Sequence, residues 1–454
     1  MPKKIKVGFV SLGCSKNRID TEVMLHTLLE AGYEVTGDET EADVVIINTC
    51  AFIESAKKEA IDNILDIAWL KENKDLKGIV VCGCLAERYG KEILEELPEV
   101  DAIVGVGGLP KIAEAVEAAY NAAFCNKKQT AQNKYCCLDD KNTMPLGGDR
   151  VVTTPEYSAY IKVAEGCDNH CTYCVIGNIR GKFRSRPIED IVAEAKTLEE
   201  LGVKELNIVA QDTSRYGLDI YGEYSLAKLV RALTNETSIP WIRLLYCYPD
   251  KITDELCEEF ANNNRLVKYI DMPIQHISDS VLSRMNRHGG SEVIKDAIAR
   301  LRAACPEIVL RTTVLVGFPG ETDEDFEELC EFIKEAKFDR LGAFTYSAEE
   351  GTPAAEMDDQ IDEQIKQDRY DLVMRLQGDI SAEKNEEKLG KTLEVICEGY
   401  DMVSEIYFGR SASDAPEIDG KIYFSSDRGV EEGEFVKVTI GNVLDYDLLG
   451  DLTE

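Results

Sequence analysis

The feature that most constrains the fold is a repeated alternation of apolar extended runs with amphipathic helical ones across residues 1 to 118. KVGFVSLG reads as a strand, TEVMLHTLLEAG as a helix ended by Gly32, ADVVIINTC as a buried strand and KKEAIDNILDIAWL as a second helix. GIVVCGC, a helix through EILEELP, the short strand DAIVGV and a helix opened by Pro110 in LPKIAEAVEAAY continue the pattern. When every strand is followed by a helix, short hairpins are impossible. Each helix must carry the chain back across the sheet, so the strands run parallel, and a doubly wound α/β sheet is expected. Cys82, inside a strand, reads as core, and His26, within an amphipathic helix, as a packing residue.

Residues 119–150 lose this periodicity and read as a linker or small ribbon. From 151 to 382 six strand candidates recur between helical stretches: SAYIKVAEG, ELNIVAQD, WIRLLYCY, VKYIDMPI, IVLRTTVLVG and RLGAFTYS. Six strand–helix units fall short of a closed eightfold barrel and predict a partial (β/α)6 barrel with its site at the strand C-terminal ends. Beyond a helical connector, residues 383–454 carry short alternating strands between turn signals, as in a small antiparallel β-barrel. Four segments follow, 1–118, 119–150, 151–382 and 383–454, in a chain of 454 residues that is too long for one core.

Bulk properties narrow the function. No run approaches the roughly 18 apolar residues of a membrane span, and MPKKIKV leads straight into a strand pattern, so no membrane partner and a cytoplasmic location are expected. Fifteen cysteines, an odd number scattered through strands and helices, suit a reducing compartment where thiols serve metals or packing. With 51 basic and 85 acidic residues the formal charge is −34, a field that repels a phosphate backbone and attracts basic surfaces, although acidity can also serve solubility alone.

Two cysteine constellations carry the chemistry. VAEGCDNHCTYCVIG places Cys167, Cys171 and Cys174 in a C-x3-C-x2-C run just after the first barrel strand. The run could hold zinc, with His170 as fourth ligand, or an iron–sulfur cluster with one iron left open. His170 adjoins Cys171, and adjacent residues rarely direct both side chains at one ion. In the first region Cys14, Cys50 and Cys84 each follow one of three successive strands, 36 and 34 residues apart. Parallel strands bring such positions to one sheet edge, where three thiols could converge or merely coincide.

C-x3-C-x2-C with an aromatic residue, Tyr173, before the last cysteine resembles the radical S-adenosylmethionine (radical SAM) superfamily. SLGCSKN, NTC and GCLAERY resemble the N-terminal domain of its methylthiotransferase family, and residues 383–454 resemble the TRAM domain that completes that architecture. The resemblance implies two [4Fe-4S] clusters, one held by Cys167, Cys171 and Cys174 and binding S-adenosylmethionine, the other held by Cys14, Cys50 and Cys84 and carrying the sulfur. It also implies a low-potential electron donor. SLGCSKN, MNRHGG at 285–290 and GRSASDAPEIDG at 409–420 resemble the branch that modifies a β-carbon of one aspartate in ribosomal small-subunit protein S-twelve; the branch acting on transfer RNA usually opens with a GCQMN-like stretch. Residues 391–454, with five Lys or Arg against fifteen Asp or Glu, fit a basic protein better than a nucleic acid. The rival readings are a transfer-RNA methylthiotransferase and a non-catalytic metal scaffold on the ribosome.

Candidate cofactor contacts are Tyr173, then Gln211, Asp212 and Ser214 in AQDTSRYG, and Arg243, Gln275, Arg311 and Tyr346 at later strand ends. In TTVLVGFPGET, Gly317, Pro319 and Gly320 could let backbone approach an adenine or form only a tight turn. GVGGLP at 105–110 lacks the third glycine of a dinucleotide fingerprint, Pro110 standing in its place. His276 and His288 border strand-end loops and could meet substrate. The acidic runs at 321–328 and 358–363 read as solvated helix faces.

Overall fold

The structure is a computed structural model describing residues 4–124 and 130–453. The first three residues of the MPKKIKV start and residues 125–129 of the expected linker lie outside this description.

Six strands build the first sheet: β1 (Lys6–Ser11), β2 (Glu34–Thr36), β3 (Val44–Thr49), β4 (Gly78–Gly83), β5 (Ala102–Val104) and β6 (Tyr135–Cys137). Their order is β2-β1-β3-β4-β5-β6 and every pair is parallel. All residues of β3 and β4 are buried, so both faces are covered, which is why VVIINT and GIVVCG read as continuous rather than alternating runs. The covering helices are α1 (Ser15–Glu30), α2 (Glu54–Asn73), α3 (Cys84–Glu96) and α4 (Ile112–Ala122).

Two local readings are corrected. Pro110 does not open α4: it sits inside a 3-10 turn, Val106–Lys111, and α4 begins two residues later at Ile112. The stretch read as a linker or small ribbon supplies one strand of the first sheet, β6, whose YCC sits between polar runs and so forms no apolar segment.

The second sheet contains the six expected strands: β7 (Ser158–Lys162), then β10 (Glu205–Val209), β11 (Trp241–Leu244), β12 (Leu266–Asp271), β13 (Val309–Val316) and β14 (Arg340–Thr345). They lie side by side in chain order, all parallel, as an open partial barrel. Between β7 and β10 a small antiparallel ribbon, β8 (Ala164–Glu165) with β9 (Arg184–Ser185), brackets the cysteine loop and the short helix α5 (Ile176–Arg180). Among the described residues no helix is long and apolar enough to cross a membrane.

The C-terminal strands β15 (Thr392–Asp401), β16 (Ile406–Ser411), β17 (Ile422–Ser425), β18 (Phe435–Val443) and β19 (Leu448–Leu452) close into a barrel. It is not wholly antiparallel: β17 and β19 run parallel. A closed ring with an odd number of strands cannot alternate direction all the way round. The barrel docks through a buried ionic joint at Glu205, the first residue of β10, which accepts hydrogen bonds from Arg410 Nη2 at 2.6 Å and Arg243 Nε at 3.0 Å. Trp241 and Phe435 pack edge to face beside it, centroids 4.8 Å apart.

Candidate active site

The cysteine loop is shaped by backbone bonds before any cofactor is considered. Gly166 has φ +77°, and a Cβ there would collide with the Lys182 carbonyl. Cys167 N donates to Gly181 O at 3.1 Å and Thr172 N to Met285 O at 3.0 Å, so the MNRHGG segment holds the loop from the far side. Asn169 Nδ2 donates to Asp212 Oδ2 at 2.8 Å, tying the loop to the end of β10. His170 is exposed, with φ 51°, and does not group with the loop cysteines as the fourth ligand that zinc would need.

Burial pushes the Cys167 thiol up to about 11. It raises Cys174 further, helped by the adjacent Cys171. Tyr248 Oη lies 3.8 Å from Cys171 Sγ, and the Arg287 guanidinium stacks over the Tyr248 ring at 4.1 Å. Arg287 Nη1 is buried with no hydrogen-bond partner, a cationic donor near Cys171 and Cys174. Among the described residues no three His, Cys, Asp or Glu side chains are grouped like ligands of one ion with bonds near 2.0–2.3 Å. Thiolates of a cubane bind different irons and stand farther apart.

The second constellation forms as the strand spacing implies. β1, β3 and β4 are neighbours, and their C-terminal ends deliver Cys14 as N-cap of α1, Cys50 just after β3, and Cys84 as the first residue of α3. Close approach requires glycine: a Cβ on Gly13, at φ +91°, would sit 2.9 Å from Cys50 Cβ. At φ +87° Gly83 leaves no room for one against Asn48 and Thr49. Burial raises Cys84 to about 12, and thiolate charge on Cys50 and Cys14 adds to the rise, as expected of three sulfurs facing a common space. Cys50 is raised by burial and then by Cys14.

Between the two trios lies a buried polar network that sequence reasoning missed. Arg180, at the end of α5, donates from Nη1 to Asp20 Oδ2 at 2.6 Å and to Glu165 Oε2 at 3.4 Å, and from Nη2 to Asn17 Oδ1. Lys162 Nζ donates to the same two carboxylates, to Asp20 at 2.7 Å and Glu165 at 2.8 Å. The Cys84 thiol in turn lies 3.7 Å from Asn17 Oδ1. Two cations and two carboxylates neutralise one another where single charges would be costly. Burial alone would raise Glu165, but Lys162 and then Arg180 hold it below the usual carboxylate range. The available signals were Lys162 inside an apolar strand and Arg180 directly after the cysteine run.

The proposed cofactor contacts separate into groups. Tyr173 and Tyr346 are brought together through Phe318, which makes edge contacts to both at centroid distances of 6.5 and 5.4 Å. The Tyr346 hydroxyl is buried without a partner. Gln211 and Gln275 are half-buried at strand ends, Gln275 at φ 71° with its backbone bridged to Val314. Asp212 and Ser214 are occupied as scaffold: Asp212 takes Asn169, Ser214 Oγ at 2.7 Å and Lys251 at 3.2 Å, while Ser214 Oγ accepts Tyr248 N at 2.8 Å. Arg243 and Arg311 are not brought to this place. Arg243 belongs to the joint, donating also to Ala412 O at 2.9 Å, and Arg311 pairs with Asp271 at 2.7 Å and faces Asp419 of the C-terminal barrel. Inward-pointing strand residues sit at different heights, and the sequence does not say which end a given height faces. His276 is fully buried and held neutral, its pKa lowered by burial to about 4, and Glu321 holds the Gly317–Phe318 backbone, so GFPGET is a braced turn.

An open six-stranded parallel barrel carrying three cysteines in the loop after its first strand defines a radical SAM enzyme. Family comparison agrees: residues 161–333 match the radical SAM superfamily, residues 6–105 an uncharacterized protein family designated UPF0004, and residues 389–452 the TRAM domain. TsrM, a radical S-adenosylmethionine methyltransferase from Kitasatospora setae, shares the fold at TM-score 0.56 and 15% identity, with 88% of this chain and 79% of that one covered. The chain is 49% identical to ribosomal protein uS12 methylthiotransferase RimO of Desulforamulus reducens, with 99% of both chains covered, and 50% identical to the Clostridium tetani protein of the same name, with 98% of both covered. It belongs to the RimO family of radical SAM methylthiotransferases. That superfamily uses S-adenosylmethionine and a [4Fe-4S] cluster, and the donor set fits both: three thiols in one loop, an unpartnered guanidinium nitrogen on Arg287 and an unpartnered hydroxyl on Tyr346.

Proposed function

We propose that the chain replaces a β-carbon hydrogen of one aspartate in ribosomal protein uS12, the small-subunit protein S-twelve, with a methylthio group. The observation that carries this reading is one buried network that joins the segments flanking the first trio to the second: Glu165 accepts Gly166 N just before Cys167, and Arg180 bonds both Glu165 and Asn17, which lies beside Cys84. Cys167, Cys171 and Cys174 would hold one [4Fe-4S] cluster, and Cys14, Cys50 and Cys84 a second. When bound, the first with S-adenosylmethionine supplies a radical able to take hydrogen from an unactivated carbon, and the second supplies the sulfur.

The chain's own residues bind and orient. Tyr173, Phe318 and Tyr346 form an aromatic wall at the barrel mouth, with Gln211 and Gln275 offering amides at neighbouring strand ends. Arg287 faces the negative charge of the first trio. Asp212 and Ser214 brace the cysteine loop, and Arg243 and Arg311 seat the TRAM barrel. A net charge of −34 for the chain, and of −10 (five basic against fifteen acidic residues) over 391–454, supports a basic protein substrate rather than a nucleic acid. The reaction needs electrons from an external low-potential donor, and the ribosomal substrate makes the cytoplasm the expected compartment.

The test is to incubate the reconstituted enzyme separately with uS12 and with transfer RNA and weigh both. Gain of a methylthio group on uS12 alone supports the reading. Gain on transfer RNA alone overturns it.

A further inference from the structure

We propose that Lys16 binds the side-chain carboxylate of the substrate aspartate and so determines that an acidic residue is modified; this rests on the uS12 reading above. Four lysines are buried among the described residues: Lys16, Lys162, Lys251 and Lys366. Three have carboxylates, Lys162 with Asp20 and Glu165, Lys251 with Asp212 and Asp250, and Lys366 with Glu363 at 2.6 Å. Lys16, 5% exposed, has neither ion pair nor hydrogen bond; its ammonium rests 3.4 Å from the centroid of the Tyr246 ring. An aromatic face holds a cation in place but does not neutralise it.

Lys16 stands where the cysteine edge of the first sheet meets the barrel mouth. Lys16 lies between Cys14 of one trio and Asn17, which contacts Cys84. Tyr246 follows β11 at the barrel mouth, its N–H bonded to Asp271 Oδ2 at 3.1 Å and its carbonyl accepting Thr213 N at 2.9 Å. Neighbouring carboxylates are already taken: Asp20 by Lys162 and Arg180, Asp271 by Arg311. Lys16 also stands in the first turn of α1, where a positive charge opposes the helix dipole. A residue that breaks burial, pairing and dipole rules together, with only the Tyr246 ring face against its ammonium among the described residues, is the mark of a site awaiting a ligand. Its ligand should be anionic and small enough to reach the space between the trios. In aspartate the carboxylate is bonded directly to the β-carbon, so anchoring the one places the other.

The experiment is a double-mutant cycle on reconstituted enzyme, pairing wild type, Lys16→Met and Lys16→Arg with uS12 and with uS12 whose target aspartate is asparagine. Affinity for uS12, affinity for S-adenosylmethionine and the electron-paramagnetic-resonance spectra of the clusters are all read. We expect Lys16→Met to weaken uS12 binding roughly 30-fold or more, as when one partner of a desolvated charge pair is removed. The asparagine substrate should lose comparably on wild type and little further on Lys16→Met, and Lys16→Arg should recover most of the affinity. Cofactor affinity and spectra should not move. Additive losses, a fall in S-adenosylmethionine affinity or an altered spectrum of the second cluster would overturn the assignment while leaving the reaction standing. If wild type does not modify native uS12, the functional reading fails first and this assignment with it.

Discussion

The two cysteine trios reach similar ends by opposite routes. Cys167, Cys171 and Cys174 lie within one loop, and their arrangement depends on neighbours in sequence, Gly166 and Gly181, plus the MNRHGG brace. Cys14, Cys50 and Cys84 come from three strand ends, and nothing local relates them; the sheet order β1-β3-β4 does. One trio is a local motif attached to a barrel, whereas the other exists only once a domain has folded. The first should tolerate loosening of the surrounding domains, and the second should not.

The largest expected effect separates the trios directly. Cys171→Ala should abolish 5′-deoxyadenosine formation while retaining about four of about eight irons, and Cys50→Ala should keep deoxyadenosine formation but yield no methylthiolated product. Iron analysis with product chromatography checks both, and loss of all iron in either variant would break the comparison. Next comes Arg180→Met, which leaves Asp20 and Glu165 buried with one cation between them. We expect a loss of about 3–5 kcal/mol in urea unfolding, with weaker cluster retention in the Cys14, Cys50 and Cys84 trio than in the other; equal loss from both would deny that the network sits between them.

Glu205 tests a joint remote from the cysteines. Burial would raise its carboxyl, but Arg410 and then Arg243 bring it down to about 2. The folded value lies below the ordinary 4.5, so its contribution, on the order of 3 kcal/mol, is full above about pH 4.5 and is lost as pH falls toward 2. Glu205→Gln should flatten that acid limb in a pH series of denaturation curves and leave deoxyadenosine formation intact; an unchanged limb would mean the joint is not ionic. The smallest effect is expected for His170→Ala, within about 0.5 kcal/mol of wild type and with unchanged iron content. Loss of iron there would restore the four-ligand alternative.

Legibility followed the range of the interaction. The barrel strands were readable because each is a run of apolar residues several positions long, and both trios because cysteines mark their own places. β6 was not, since its YCC lies between polar residues, whereas the equally short β5 sits in the apolar run AIVGV. Arg243 and Arg311 lie within β11 and near the start of β13, not at the C-terminal strand ends expected of them, and their partners, Glu205 and Asp271, also sit on strands, while the TRAM barrel arrives from more than a hundred residues away. Asp212 and Ser214 look like ligand contacts until Asn169, Lys251 and Tyr248 are seen to occupy them.

Residue order alone determined the parallel sheets, the six thiols and their division into two sets, because strand periodicity, helix periodicity and cysteine spacing are local and survive without partners. Only the tertiary structure decided that Arg180 and Lys162 neutralise Asp20 and Glu165 between the sets, and that Lys16 is left beside them without an ion-pair partner among the described residues. Pairing of buried charges depends on which helix meets which strand, and in a low-dielectric interior ångströms of placement, invisible in a linear chain, separate a satisfied ion from an open one.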